Sequence, residues 1–385
     1  MTGLFVARVR DHLPKPFCTQ SCKCYDEASV DLDLSEEDDA VPQPVKRLSW
    51  TDRLLTLYVF LAMALGLILG NLVPSTKDVL ATVQFVGVSL PIAVGLLVMM
   101  YPILVKVNYS ALPALFSGKK VYVLLLISVI INWIIAPLFM LALGWMTLPD
   151  LSGYRQGLVL VGLARCIAMV LLWTNLAGGD NNLCAVLVAF NSLLQIVLYA
   201  PLAILYLNFF TPTADKVTVQ YSIVAKSVAV FLGLPLGAAI LTRLMFLRAP
   251  EKWFHFFLKL ISPLSLIGLL FTIIVIFASQ AENFRNNIVA VVRVCVPLLL
   301  YFPIIFFSTF FILRKRIWGQ RITVSFTAAS NNFELAIAVA VAVFGPSSQQ
   351  ALATVVGSLI EVPVMVLLVF GVQYWHNRRI RINAV

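Results

Sequence analysis

Ten apolar stretches, each long enough to cross a bilayer, fill nearly everything after residue 50 and leave the chain few folds to choose from. They run over 54–73, 84–105, 121–145, 155–175, 183–208, 219–243, 258–279, 287–313, 322–344 and 349–372. A lipid-spanning helix takes about 20 mainly apolar residues. In hydrocarbon only helices and closed barrels satisfy every backbone N–H and C=O. With 61% apolar residues, 12% charged residues and a mean hydropathy of +0.94, the chain is no soluble enzyme, disordered protein or secreted disulfide scaffold. It reads as an all-α polytopic membrane protein.

Charge divides the chain in two. Nine of the 18 acidic residues lie between Asp11 and Asp39, and only eight follow Asp52. Residues 1–50 show no sustained periodicity and no apolar signal-peptide core, so they read as a disordered cytosolic tail. Their Cys18, Cys22 and Cys24 match no zinc spacing. The net charge of +10 suits cationic cytoplasmic loops better than nucleic acid. With the N-terminus in the cytosol, 21 Lys and Arg fall in the tail, the even-numbered loops and the C-terminus, against four in odd loops: Lys77, Arg155, Lys216 and Arg285. Arg165, Lys226 and Arg293 fall inside spans. A wrong span count would scramble this sorting, so it supports both the count of ten and two cytosolic termini.

Ten spans split into five and five. At an offset of 166, Pro137 meets Pro303, Ala185 meets Ala351, Ser192 meets Ser358 and Gln195 meets Glu361. Gly66–Gly70 resembles Gly233–Gly237 one residue further on. Halves with an odd number of spans must be inverted relative to each other, an architecture of secondary transporters. The expected division is a tail at 1–50, a first five-helix repeat at 51–210, a second at 211–375 and a cytosolic tail at 376–385.

Chemistry concentrates in the fourth span of each half. Arg165 and Cys166 align with Asn331 and Asn332, among small and polar residues at mid-membrane. Such a stretch suits a broken helix whose freed backbone groups face a cavity; close packing of small residues is the alternative. Glu334 and Glu361 are the only acids inside spans. A charge there costs at least about 2.5 kcal/mol, so both become candidates for proton coupling. For Glu334 the competing role is an ion pair with Arg165 or Arg293. A cation and a helix end beside a thiol favour the thiolate, which marks out Cys166; Cys184 and Cys295 read as small hydrophobes. Asn132, Asn191, Gln195 and Lys226 either line a pathway or bond across helices. All three histidines (His12, His255, His376) lie in loops or tails.

No phosphate-binding loop and no H-E-x-x-H motif is present, so no ATPase site lies on this chain. Gly178-Gly179-Asp180 matches half of an intramembrane aspartyl protease, but no second Asp lies in a span. The chain is read as no enzyme, and no cofactor is expected.

Residues 162–173 (GLARCIAMVLLW) and 176–184 (LAGGDNNLC) closely resemble the span-4 signature of arsenite-efflux permeases of the bile acid/arsenite/riboflavin transporter superfamily. Residues 329–337 (ASNNFELAI) resemble their second signature, and 87–95, 154–157, 225–228 and 361–363 also match. The resemblance spans about 50–375. It implies ten helices in two inverted five-helix repeats, with discontinuous helices 4 and 9 crossing near the midplane. It implies export of As(III), in some members also Sb(III), against protons. Cys166 matches the family's span-4 cysteine and Glu334 its span-9 glutamate, and Arg165 stands in the matching place. Arsenite is a neutral trihydroxide with a thiol-seeking arsenic; one thiol recognises it and still releases it, where three would trap it. The expected substrate site is therefore Cys166 as the arsenic's sulfur ligand, with Glu334, Arg165, Asn331 and Asn332. Glu334 and Glu361 are the expected proton-coupling groups. Expected partners are arsenite, protons and the lipid bilayer, with neither nucleic acid nor an obligate ATPase. The plasma membrane is the expected location, with the vacuolar membrane as the alternative. The rival functions are a sodium-coupled organic-anion carrier of the same fold and, from another class, a channel or receptor.

Overall fold

In a computed structural model of the chain, residues 55–73, 83–107, 119–167, 169–211, 219–246 and 249–383 are described. The N-terminal tail with its three cysteines lies outside them, as do Lys77 and Lys216. Within them, the apolar stretches are helical apart from a hairpin at the start of the second and breaks in the fourth and ninth. In chain order the elements are α1 (Leu55–Leu72), a hairpin of β1 (Gln84–Phe85) and β2 (Val88–Ser89), and α2 (Leu90–Lys106). Next come α3 (Lys119–Ile130), α4 (Ala136–Thr147), α5 (Ser152–Leu163), α6 (Met169–Leu176) and α7 (Asn181–Leu205). The second half holds α8 (Tyr221–Val228), α9 (Leu234–Phe246), α10 (Glu251–Asn286), α11 (Ile288–Ile312), α12 (Trp318–Ala329), α13 (Phe333–Phe344) and α14 (Gln349–Asn383). A π-helical turn joins α3 to α4 (Ile131–Ile135) and α8 to α9 (Ala229–Gly233), and another ends α7 (Tyr206–Phe210). Among the described residues, six helices are long and apolar enough to cross a membrane, including Tyr122–Thr147, Asn181–Phe210 and Ile288–Ile312.

The side chains show which faces meet lipid. On α10, Trp253, Phe256, Leu260, Leu264, Ile267 and Phe271 are exposed at steps of three and four residues. That spacing is one continuous helix face. The opposite face buries Phe254, Ile261, Ile273, Ile276 and Phe277. A large exposed apolar stripe would be a liability in water and is the normal outer surface in a bilayer.

The helices pack as two groups. α1, α2 and α9 gather around α10, or around one another through α2. On α1, Gly66 and Gly70 form a G-x-x-x-G pair. A Cβ on Gly70 would come within 2.2 Å of the Ala278 carbonyl oxygen, so only glycine permits this approach of α1 to α10. The second group joins α5 to α4 and α14, and α11 to α4, α12 and α14, with α13 on α14.

Several expected boundaries move: α2 begins at Leu90 behind the hairpin rather than at 84, α10 covers Glu251–Asn286 rather than 258–279, α12 begins at Trp318 rather than 322, and α14 runs on to Asn383 through the expected C-terminal tail. Neither residues 251–257 nor 373–383 contain a glycine or proline that would stop a helix. Asp180 caps α7, accepting a bond from the Leu183 N–H at 2.9 Å, which explains the Gly-Gly-Asp sequence as a turn followed by a helix start.

Candidate functional site

The fourth and ninth apolar stretches are each interrupted. α5 ends at Leu163 and α6 starts at Met169; α12 ends at Ala329 and α13 starts at Phe333. Just after α5 and α12 the chain is extended, with ψ of 116° at Ala164 and 144° at Ser330. The two extended pieces pair as a single antiparallel bridge, Arg165 opposite Asn331. The Asn332 N–H donates to the Ala164 carbonyl at 3.0 Å, and Asn331 Nδ2 donates to the Val161 carbonyl. The second break thus donates to carbonyls at the first, satisfying buried backbone that the interrupted helix leaves open. The second break is written locally: Asn332 caps α13, its Oδ1 accepting from the Leu335 N–H at 3.0 Å. The first has no proline, glycine or cap at residues 164–167 and exists through its partner.

The remaining backbone donors find side chains at matching positions. The Arg165 N–H donates to Gln195 Oε1 on α7. The Asn331 N–H donates to Glu361 Oε1 on α14 at 3.1 Å. Both pairs are 30 residues apart, and they are related by the offset of 166. The Arg165 side chain, 0% exposed, donates to carbonyls of Gly162 and Ala328, the latter at 3.4 Å, and reaches the Tyr301 hydroxyl at 3.5 Å. Those carbonyls sit at the C-terminal ends of α5 and α12, where partial negative charge favours a cation. Sequence reasoning missed Tyr301, an aromatic inside an apolar span, for which no local signal existed.

Cys166 and Glu361 are both buried, at 3% and 4% exposure. Ser330, also missed, links them. Its hydroxyl donates to Glu361 Oε1 at 2.6 Å, and the register of the bridge sets Ser330 opposite Cys166. The structure brings no cation onto the thiol. Arg165 turns to the other side of the extended segment, and the charged groups that act on Cys166 are Glu361 and Glu334.

A narrow cavity opens beside the crossing, between the two helix groups. One wall comes from α6, α13 and α14: Met169, Phe333, Glu334, Ile337, Ser358, Glu361 and Val362. The other, from α1 and α10, has Val59, Leu269, Ile273, Ile276 and Phe277, plus Thr272, whose hydroxyl is committed to the Gly268 carbonyl at 2.7 Å. Both carboxylates therefore line the cavity, and no Lys, Arg or His does among the described residues. Arg165, Cys166, Asn331 and Asn332 lie in the layer behind this wall. Asn331 Oδ1, Asn332 Nδ2 and Gln195 Nε2 are buried there with no partner. The structure pairs Arg293 not with Glu334 but with Asp150, at 2.5 Å, near the α4–α5 turn. That exposed partner holds the Asp150 carboxyl down at about 2. Asn132 bonds to the Ser128 carbonyl, Asn191 accepts from Trp133, and Lys226 is exposed, so of the four remaining polar positions only Gln195 belongs to the crossing.

Long apolar helices around two interrupted ones, whose extended segments meet beside buried carboxylates, define a polytopic membrane transporter. The family model for the sodium bile acid symporter family matches residues 93–287. The chain belongs to that family. It is 43% identical over 339 residues to the arsenical-resistance protein Acr3 of Corynebacterium glutamicum, covering 85% of this chain and 90% of the relative. It is 32% identical to the Acr3 arsenical-resistance protein of Alkaliphilus metalliredigens, over 84% of this chain and 92% of that one. It is also 37% identical to an uncharacterized transporter of Synechocystis over 84% of this chain.

Proposed function

We propose that this chain exports arsenite from the cytosol in exchange for protons, by alternating access, with Sb(III) as the second candidate cargo. The observation that carries the reading is the single thiol, Cys166, held at a crossing of two broken helices beside two carboxylates that line one cavity. The similarity to two arsenical-resistance proteins over most of their length supports it. In this reading there are ten membrane passes in two inverted repeats, 51–210 and 211–375, between cytosolic tails. The offset of 166 that relates the two breaks, their backbone donors and their side-chain acceptors supports the repeat. The plasma membrane is the proposed location, with the vacuolar membrane as the alternative.

In the proposed cycle, cytosolic arsenite enters the cavity and its arsenic bonds to Cys166. Its hydroxyl groups are held by the carboxylates and by the free amide atoms of Asn331 and Asn332. Arg165 keeps its charge at the crossing without touching cargo. The group around α5, α6 and α11–α14 then shifts against the α1, α2, α9 and α10 group, and outside protonation of Glu334 and Glu361 releases the cargo. One proton crossing about 100 mV supplies about 2.3 kcal/mol. A pH unit adds about 1.4 kcal/mol. The sum sustains a gradient of a few hundred-fold.

The family description favours one rival, a sodium-coupled carrier of organic anions. Two carboxylates in a cavity without a facing cation repel an anion, which weighs against it. The deciding experiment is As(III) uptake into everted vesicles with and without an inside-acid gradient, comparing wild type with Cys166→Ser. Gradient-driven uptake that the substitution abolishes is expected. Equal uptake by both proteins overturns the thiol assignment, and sodium-dependent uptake of an organic anion would favour the rival.

A further inference from the structure

From the register of the crossing we infer that Cys166, Ser330 and Glu361 form a proton relay, in which the Ser330 hydroxyl passes the thiol proton to the Glu361 carboxylate. The bridge sets Arg165 opposite Asn331, and the bond from Asn332 N–H to the Ala164 carbonyl fixes the next pair in the antiparallel sense. The same register places Cys166 directly opposite Ser330. Residues directly opposed in an antiparallel pair present their side chains on one face, with Cβ atoms about 5 Å apart. The Ser330 hydroxyl already donates to Glu361 Oε1 at 2.6 Å, so its proton is committed and its lone pairs are free to accept from the thiol. One hydroxyl that accepts on one side and donates on the other is what a proton needs to move from sulfur to carboxylate. All three groups are buried, with Glu361 alone of the three reaching the cavity wall. The other charged groups near them are Glu334, on α13 along the cavity wall, and Arg165, whose side chain is bonded on the far side of the segment.

The relay answers a question the exporter reading leaves open, and its cargo step rests on that reading. A buried thiol must lose its proton before sulfur can attack arsenic. The thiol proton moves to Ser330 Oγ as the Ser330 proton moves to Glu361. The sulfur then forms an S–As bond as one As–OH bond breaks. The departing hydroxide takes the proton held on Glu361, back over Ser330, and leaves as water. Arsenic stays As(III), and no oxidant or reductant is involved. Ser330 is thus a positioning residue that acts through the thiol and the carboxylate.

The test does not need arsenite. The purified full-length protein is treated with methyl methanethiosulfonate, and modification of Cys166 is followed by mass spectrometry against Cys295 as internal reference. Glu361→Gln keeps an acceptor for the Ser330 hydroxyl but cannot take a proton, and Ser330→Ala removes the bridge. Each is expected to slow modification of Cys166 by about a hundredfold, the lower end of what a positioned proton acceptor contributes. The double variant is expected to be no slower than the slower single one, because both act on one path. Wild-type rates in Glu361→Gln, or effects of the two substitutions that multiply, overturn the relay. If the relay variants behave as expected but wild-type vesicles move no arsenite, the relay stands and the exporter reading falls.

Discussion

The two helix breaks share a scaffold and differ in charge. At the first, a backbone N–H at Arg165 is caught by the neutral Gln195; at the second, the N–H at Asn331 is caught by the ionisable Glu361. The first break carries the cation and the thiol, and the second carries the serine, the amides and both acids of the cavity. Matching backbone geometry therefore holds the crossing together, while the chemistry is shared out unequally between the two breaks. A hydrogen bond is satisfied equally well by an amide or a carboxylate, but only a carboxylate also carries a proton.

The sharpest way to break this contrast is to make the second break as neutral as the first. Glu334→Gln and Glu361→Gln are each expected to stop pH-driven export, with loss of about a hundredfold or more in rate. Vesicle uptake under an acid-inside gradient measures it, and robust gradient-driven uptake by either variant would show that proton coupling does not use that carboxylate. A smaller effect, on stability, comes from the first break. Gln195→Leu leaves the Arg165 N–H buried without a partner and should cost about 1–3 kcal/mol. Thermal unfolding in detergent should show it, while the folded fraction keeps pH-driven uptake; loss of coupling there would erase the distinction between the copies. Away from both breaks, Gly70→Ala forces a methyl against the Ala278 carbonyl and should cost about 1–3 kcal/mol by parting α1 from α10. An unchanged unfolding temperature would show that these helices are free to separate.

The smallest effect belongs to the Asp150–Arg293 pair. Arg293 holds Asp150 below the ordinary 3.8, at about 2. Such a depressed carboxyl contributes stability above the ordinary value, and that contribution is lost as pH falls through about 2. Both side chains are exposed and the bond is screened, so Asp150→Asn should barely shift the unfolding temperature at neutral pH. A large shift at pH 7 would mean that this pair bears on more than its own turn.

The sequence made the helices legible because lipid demands long apolar runs, and residues such as Leu260 and Ile267 need no partner to explain them. It also pointed to the breaks, since Ser330, Asn331 and Asn332 are poor helix formers and good caps. What it could not reveal was register. Nothing local says that Cys166 faces Ser330, because that contact follows from pairing two segments 164 residues apart. The same is true of Tyr301 under the Arg165 side chain. The offset of 166 did contain part of the answer: it had already matched Gln195 with Glu361, and a shared backbone donor explains why those two positions correspond. The π-helical turns left no trace, since Ile131–Ile135 and Ala229–Gly233 look like any apolar helix.

The cavity is unequal from side to side, with every carboxylate on one wall and an apolar surface on the other. In the proposed cycle, cargo bonded to the first wall has nothing to let go of on the second. If the walls slide past each other as in the proposed cycle, the surface that shears is Val59, Ile273, Ile276 and Phe277, whose dispersion contacts are weak singly and can be traded for equivalent ones. Grip and friction are thereby assigned to different surfaces, so tighter binding of the cargo need not slow its passage.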